Sequence, residues 1–460
     1  MTLPISDYLD SYLQLCDERN VFTVPSLRRS LQNAVDGGGQ VPDAFHLSGT
    51  QSELSLTRLN DAYVDILLKP LVTCGVVLRE LDLSCNEIGD AGAMQIAAFL
   101  KDDVVLETLN LRSNTIQPPG IIALARSLHI NEHLRILNLG GNTIGSTGGL
   151  ELANMLQLNS TLTTLLLDSA NLPTPGLIAL STVLCNNTTL TTLDISNNYS
   201  TPFSRVATAD FAAHFTKMLE CNFNLVDIAA RKLRMDDVDA KDRWARAIAL
   251  NLRITHLDLT ANNITRDGGV AILRSCHLHP SLLSLKLSHC SIQDEGAEAV
   301  AQMLYNNFAL QTLHIDHNAI TGAGLTLIAH ALLQNHSLKR LRLWGNTFST
   351  AACELWAPLT GGPSVNVTTA DTLRARHVRP GALFPPDGRS RVSAKAKSSD
   401  HHRHPNHRSN SNSNSNEEDL APPPPPPNSL VTPRFREGDV DVVFYAVEGV
   451  VCVAHRPIVV

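Results

Sequence analysis

The chain repeats itself every 28 residues, and that period constrains its fold more than any other feature. The pattern LxxLxLxxN opens at Leu78 and returns at Leu106, Leu134, Leu162 and Leu190. After a longer step of 35 residues it resumes at Leu225, then at Ile254, Leu282, Leu310 and Leu338. Within Leu78-Arg-Glu-Leu81-Asp-Leu83 the apolar residues alternate, as in a short strand with one face turned inward. The stretch that follows reads as a helix. A single strand–turn–helix unit cannot bury its own apolar face, whereas copies stacked side by side can. The fixed step therefore predicts an α/β solenoid, a horseshoe with one parallel inner sheet and outer helices. Unrelated βαβ units would not hold that step.

Each recurring position has a physical task. Three residues after the last strand leucine stand Asn86, Asn114, Asn142, Asn198, Asn262, Asn318 and Asn346. A buried Asn there can bond the backbone of adjacent turns and build a structural ladder. Ala170, Leu233 and Cys290 replace it in three copies and predict local interruptions. A glycine recurs at Gly92, Gly120, Gly148, Gly176, Gly268, Gly296 and Gly324, where a helix start presses on its neighbour. A second asparagine series, Asn131, Asn159, Asn187, Asn222, Asn307 and Asn335, precedes the next strand. These are expected to end the helices in the left-handed conformation.

A repeat this long, with a full helix on its outer side, resembles the ribonuclease-inhibitor class of the leucine-rich repeat family. The irregular junction between the fifth and sixth repeats, the ending "LWGNTF" at Leu343–Phe348 and a C-terminus that reads as short and β-rich carry a narrower likeness within that family. It covers residues 44–357 well and 438–454 weakly. The resemblance implies a non-enzymatic binding protein and supplies no catalytic residues.

Four segments are expected. Residues 1–43 form an N-terminal helical cap and residues 44–357 the solenoid, whose degenerate first strand lies in "FHLSGT" at Phe45–Thr50. Residues 358–437 read as a disordered linker, with "SNSNSNSN" and Pro422–Pro427. Residues 438–460 read as a hairpin turning at Glu448-Gly449, expected to dock back on the solenoid. The long step places seven extra residues near Tyr199–Asp210, either a binding loop or simple drift.

Net charge is −7, unevenly spread: residues 1–373 carry −10 and residues 374–408 carry +7. An acidic body argues against a nucleic-acid groove and leaves basic protein partners open. Nine cysteines occur without a CxxC pair, which fits reduced thiols in cytoplasm or nucleus. Nothing resembles a secretory signal or a membrane span, so no membrane association is expected. His401, His402, His404 and His407 could hold a metal, but their setting reads as flexible and lacks Cys, so no metal or cofactor is expected. Arg389–Lys397 reads as a solvated linker or a nuclear signal. No P-loop lysine, GxSxG or HExxH motif is present, so no catalytic residue is assigned.

Function is left to the concave face. Its central column reads Asp82, Asn110, Asn138, Leu166, Asp194, Ala229, Asp258, Lys286, His314, Arg342. The next reads Ser84, Arg112, Gly140, Asp168, Ser196, Arg231, Thr260, Ser288, Asp316, Trp344. The C-terminal end stands out. Trp344, Arg342, Arg340, His314, Asp316, Lys286 and Asp258 form the expected partner-binding set, because Trp and Arg dominate binding hot spots. The competing reading is that the chain's own C-terminal segment covers Trp344. The expected function is a protein-interaction scaffold. Two alternatives stay open: a small-GTPase activator of the Ran GTPase activator type, by fold analogy, and an inhibitor of a basic ribonuclease, by charge.

Overall fold

The computed structural model describes residues 4–37, 42–55, 57–198 and 204–359. The linker and hairpin expectations, like part of the Tyr199–Asp210 insertion, lie outside these residues. Eleven three-residue strands follow one another: β1 (Ala44–His46), β2 (Glu80–Asp82), β3 (Thr108–Asn110), β4 (Ile136–Asn138), β5 (Thr164–Leu166), β6 (Thr192–Asp194), β7 (Asp227–Ala229), β8 (His256–Asp258), β9 (Ser284–Lys286), β10 (Thr312–His314) and β11 (Arg340–Arg342). They make one 11-stranded sheet in strict sequence order, with every pair parallel.

Helices α1 (Pro4–Glu18), α2 (Pro25–Asp36) and α3 (Asp61–Cys74) open the chain. Then α4 (Asp90–Asp102), α5 (Pro118–Leu128), α6 (Gly145–Leu158), α7 (Thr174–Leu184) and α8 (Arg205–Cys221) alternate with strands. A short α9 (Asp237–Asp239) runs through a π-helical turn (Ala240–Trp244) into α10 (Ala245–Leu250), and α11 (Arg266–Ser275), α12 (Gln293–Asn306), α13 (Gly322–Leu332) and α14 (Thr350–Leu359) complete the series. Helices are about 10 Å wide and strands stack at about 4.8 Å, so the sheet must lie on the inner curve.

The register explains the core. Leu81, Leu109, Leu137 and Leu165 are aligned across β2–β5 and Leu285, Leu313 and Leu341 across β9–β11, all fully buried. The asparagines at the strand ends are buried between turns. Asn114 Nδ2 donates to Leu83 O at 2.9 Å and Leu111 O at 3.0 Å, while its Oδ1 accepts from Ile88 N. Asn142, Asn198, Asn318 and Asn346 repeat the scheme. At one of the three interrupted rungs, Cys290 Sγ lies within thiol hydrogen-bond range of Leu259 O (3.5 Å) and Ser288 O (3.4 Å). Burial pushes the Cys290 thiol up to about 12, so it stays a neutral packing group. At Gly92 and Gly120 an added Cβ would sit 2.6 Å from a carboxylate oxygen, of Asp61 and of Asp90. Asp90 Oδ1 in turn accepts from Gln117 N and Gly120 N, so the glycine makes room for a carboxylate that caps the next helix.

The second asparagine series corrects the sequence reading. Asn159, Asn222 and Asn307 have φ −70, −87 and −94, an extended backbone and not the left-handed one. Their side chains form a second ladder. Asn159 Nδ2 donates to Leu128 O and Asn131 O, and its Oδ1 accepts from Thr161 N and Leu162 N. Asn307 and Asn335 do the same before β10 and β11. His279 stands in for the amide once, with Nε2 against Asn251 O and Nδ1 accepting from Leu282 N. An amide that both donates and accepts ties four backbone groups, so the position selects Asn for its hydrogen bonds and not for its φ.

At the start, α1 lies on α3: Tyr8 Oη donates to Leu67 O and the buried Tyr12 accepts from Val24 N. At the end, Trp356 of α14 is buried, and its Nε1 donates to Leu325 O at 3.1 Å.

Candidate partner-binding face

Backbone register builds the site. Asp258, Lys286, His314 and Arg342 are aligned on β8, β9, β10 and β11. Adjacent strands are only about 4.8 Å apart, so their outward side chains interact. Lys286 Nζ lies 3.3 Å from Asp258 Oδ2. Arg231 bonds Asp194 Oδ2 at 2.7 Å and approaches Asp258 Oδ2 at 3.9 Å. Acid and base thus alternate from Asp194 through Arg231 and Asp258 to Lys286. His314 sits between Lys286 and Arg342. Burial, then the two cations, push its imidazole down to about 4, so it is neutral at pH 7.

The second column holds Ser288, Asp316 and Trp344, each two residues beyond its strand. Asp316 is 5% exposed, and its Oδ1 accepts from Ser288 Oγ at 2.6 Å with Arg342 Nε at 3.9 Å. Trp344 is 40% exposed and meets the His317 ring edge-on at 4.4 Å and 87°. Arg340 pairs in register with Thr312 and is exposed on β11, the last strand of the sheet. Among the described residues it forms no ion pair.

The seven residues singled out in the sequence therefore fall into two groups. Asp258 and Lys286 belong to the internally balanced ladder. Trp344, Arg342, Asp316 and His314 form a cluster at the C-terminal end of the described sheet, with Arg340 beside it. His289 and His317 were not foreseen. They follow Ser288 and Asp316 directly, with φ of 55° and 53°, and their rings stack at 4.2 Å and 11°. Their equal place in consecutive repeats was visible in the repeat alignment, one residue beyond the columns chosen for outward position.

On the convex side an open groove of about 440 Å³ between α11 and α12 is lined by Lys241, Arg266, Asp267 and Glu295 among others. Its charges bind one another, with Arg266 Nε 2.9 Å from Asp267 Oδ1 and Lys241 Nζ 3.6 Å from Asp267 Oδ2. No helix among the described residues is long and apolar enough to cross a membrane.

The ordered parallel sheet, the outer helices and the asparagine-bound turns define an α/β leucine-rich repeat solenoid. The sequence comparison agrees: residues 77–97, 105–125, 131–153, 251–273, 279–301 and 306–329 match a model described as Leucine Rich repeat. No curated protein matches the chain. Among solved structures, similarity is found to leiomodin-1 actin-binding site 2, at 20% identity over 30% of this chain and 78% of that one (TM-score 0.26). A tropomodulin C-terminal domain from Caenorhabditis elegans is 14% identical over 35% of this chain and 92% of that one (TM-score 0.29). An internalin, inlF, from Listeria monocytogenes is 18% identical over 62% and 77% (TM-score 0.36). At such identities and scores the likeness says nothing about this chain's partner.

Proposed function

We propose that this protein is a non-enzymatic interaction scaffold that grips a protein partner at the C-terminal end of its concave face. Trp344 carries the reading. A large aromatic side chain, 40% exposed on an inner wall of mostly small or polar residues, follows Arg342 by two residues and stands one repeat after the buried Asp316. Aromatic and guanidinium groups of this kind give up the most water per residue on docking and dominate binding energy. Arg340 and Arg342 add two cations at that end, suited to an acidic patch on the partner. The balanced ladder from Asp194 to Lys286 serves as the polar border.

We assign residues 1–43 as the cap and 44–357 as the solenoid of this scaffold, acting in cytoplasm or nucleus. Within its family the chain is similar to leucine-rich repeat-containing protein 34, through the irregular fifth junction and "LWGNTF". Affinity capture from cell extract with mass spectrometry tests the scaffold. Trp344→Ala and Arg342→Ala should each remove a partner that the parent chain retains, with binding weakened by more than about 1 kcal/mol. If every captured protein stays, the patch is not the binding site. The −10 charge of residues 1–373 supports a second reading, inhibition of a basic ribonuclease. A ribonuclease assay would show it directly, and GTP hydrolysis with a panel of small GTPases would reveal an activator instead.

A further inference from the structure

The geometry points to a binding site for a divalent transition-metal ion of the Zn²⁺ class, held by His289, Asp316 and His317 on the concave face. The ligand-capable atoms of these three residues all lie within 4.8 Å of one another. His317 Nδ1 stands 3.7 Å from Asp316 Oδ2, too far for a hydrogen bond. That nitrogen is buried and has no hydrogen-bond partner. Two donors each about 2.1 Å from a tetrahedral ion lie about 3.4 Å apart, so this gap is close to the width that one ion spans. A buried unsatisfied nitrogen carries a cost that such an ion would remove.

The surroundings hold the ligands in place. Ser288 Oγ donates to Asp316 Oδ1 at 2.6 Å, and Arg342 Nε approaches that same oxygen. Oδ2 is thereby aimed at His317. A carboxylate steered by a hydroxyl is a common outer-sphere device at metal sites. Gly345 makes the berth for the His317 ring: a Cβ there would lie 2.5 Å from its Cδ2. Trp344 closes the far side, edge-on. Near-parallel rings cannot both aim a nitrogen at one ion, so one must turn. His289 is the exposed one, and rotation of an imidazole about χ2 is soft. Two imidazoles and one carboxylate favour Zn²⁺, Co²⁺ or Ni²⁺ over Mg²⁺ or Ca²⁺, and three protein ligands leave a fourth position for water or another ligand.

The site does not depend on the partner-binding reading, because Trp344 reports on it with nothing docked. The test uses the full chain, with His401, His402, His404 and His407 changed to Asn in every sample so that they cannot compete. Co²⁺ is titrated while visible absorption and tryptophan fluorescence are followed. One equivalent should give a saturable absorption band, reversed by Zn²⁺, and should quench a tryptophan signal that Trp344→Phe abolishes. His289→Ser and His317→Ser should weaken binding at least ~10-fold. Serine is chosen because Ser113 and Ser169 occupy the same left-handed position in other repeats, and His289 is exposed, so the fold tolerates the change. Asp316→Asn should act like the histidine variants. Absence of a saturable one-equivalent signal would overturn the site and leave an imidazole–carboxylate contact in its place. So would equal affinity in the parent and both serine variants.

Discussion

Strands β3–β5 and β9–β11 present the same backbone and opposite chemistry. At the column beyond β3, β4 and β5 stand Arg112, Gly140 and Asp168. With no side chain at Gly140, Arg112 reaches across a whole repeat and donates to Asp168. The guanidinium pKa is raised, first by that bond. Beyond β9, β10 and β11 the column reads Ser288, Asp316 and Trp344, followed by His289, His317 and Gly345. There a carboxylate faces a histidine across a gap and a tryptophan faces solvent. The first region satisfies itself, while the second leaves recognition capacity unspent. A repeat fixes where side chains stand; only the non-consensus residues decide whether a wall is inert or adhesive.

If that scaffold is shared, the largest losses must come from its hidden ladder and be alike in both regions. Asn142→Ala and Asn318→Ala each remove an amide that ties neighbouring turns together. Each should cost about 1–3 kcal/mol in urea unfolding monitored by circular dichroism. A loss confined to one region would show that the two do not share one framework. Cys290→Asn sharpens the same point by restoring a rung, and should raise the unfolding midpoint.

The framework was legible because it is written ten times. Period, strand, glycine and ladder positions all follow from the spacing of Leu, Asn and Gly. What escaped the sequence depends on side-chain partners in neighbouring copies. The role of Asn159 and Asn307 was misread because Asn favours both left-handed turns and amide ladders, and composition cannot separate them. The bond from Arg112 to Asp168 spans two repeats and needs the gap at Gly140, so a column read one repeat at a time missed it. His289 and His317 were overlooked because outward direction had been assigned by strand alternation, which stops at the turn they occupy. Trp344 and Arg342 were visible as departures from a small, polar consensus.

The two regions also differ in their response to acid. The positions on β4 and β5 matching His314 are Asn138 and Leu166, neither of which titrates. His314 is held at about 4 in the fold against an ordinary 6.5. Below pH 6.5 the unfolded chain therefore takes up a proton that the folded one refuses. The stability tied to this neutral ring is complete above pH 6.5 and is lost as pH falls toward 4. His314→Asn, the residue found at the matching place on β3 and β4, should flatten the fall of melting temperature between pH 6.5 and 4. Parallel curves for parent and variant would mean that His314 is not kept neutral.

The smallest effect should come from the most conspicuous ion pair. Arg112 and Asp168 are bonded, but the arginine side chain is 39% exposed, against 12% for the carboxylate. Coulomb attraction is weak there, and holding a long side chain in one rotamer offsets most of it. Arg112→Ala should destabilise by under about 1 kcal/mol, less still at 1 M salt, where the screening length is about 3 Å. It should also leave the captured partners unchanged, since the pair presents no unsatisfied group to a ligand. A loss of partner in Arg112→Ala equal to that in Trp344→Ala would erase the contrast between the two regions and extend the binding surface along the whole inner wall.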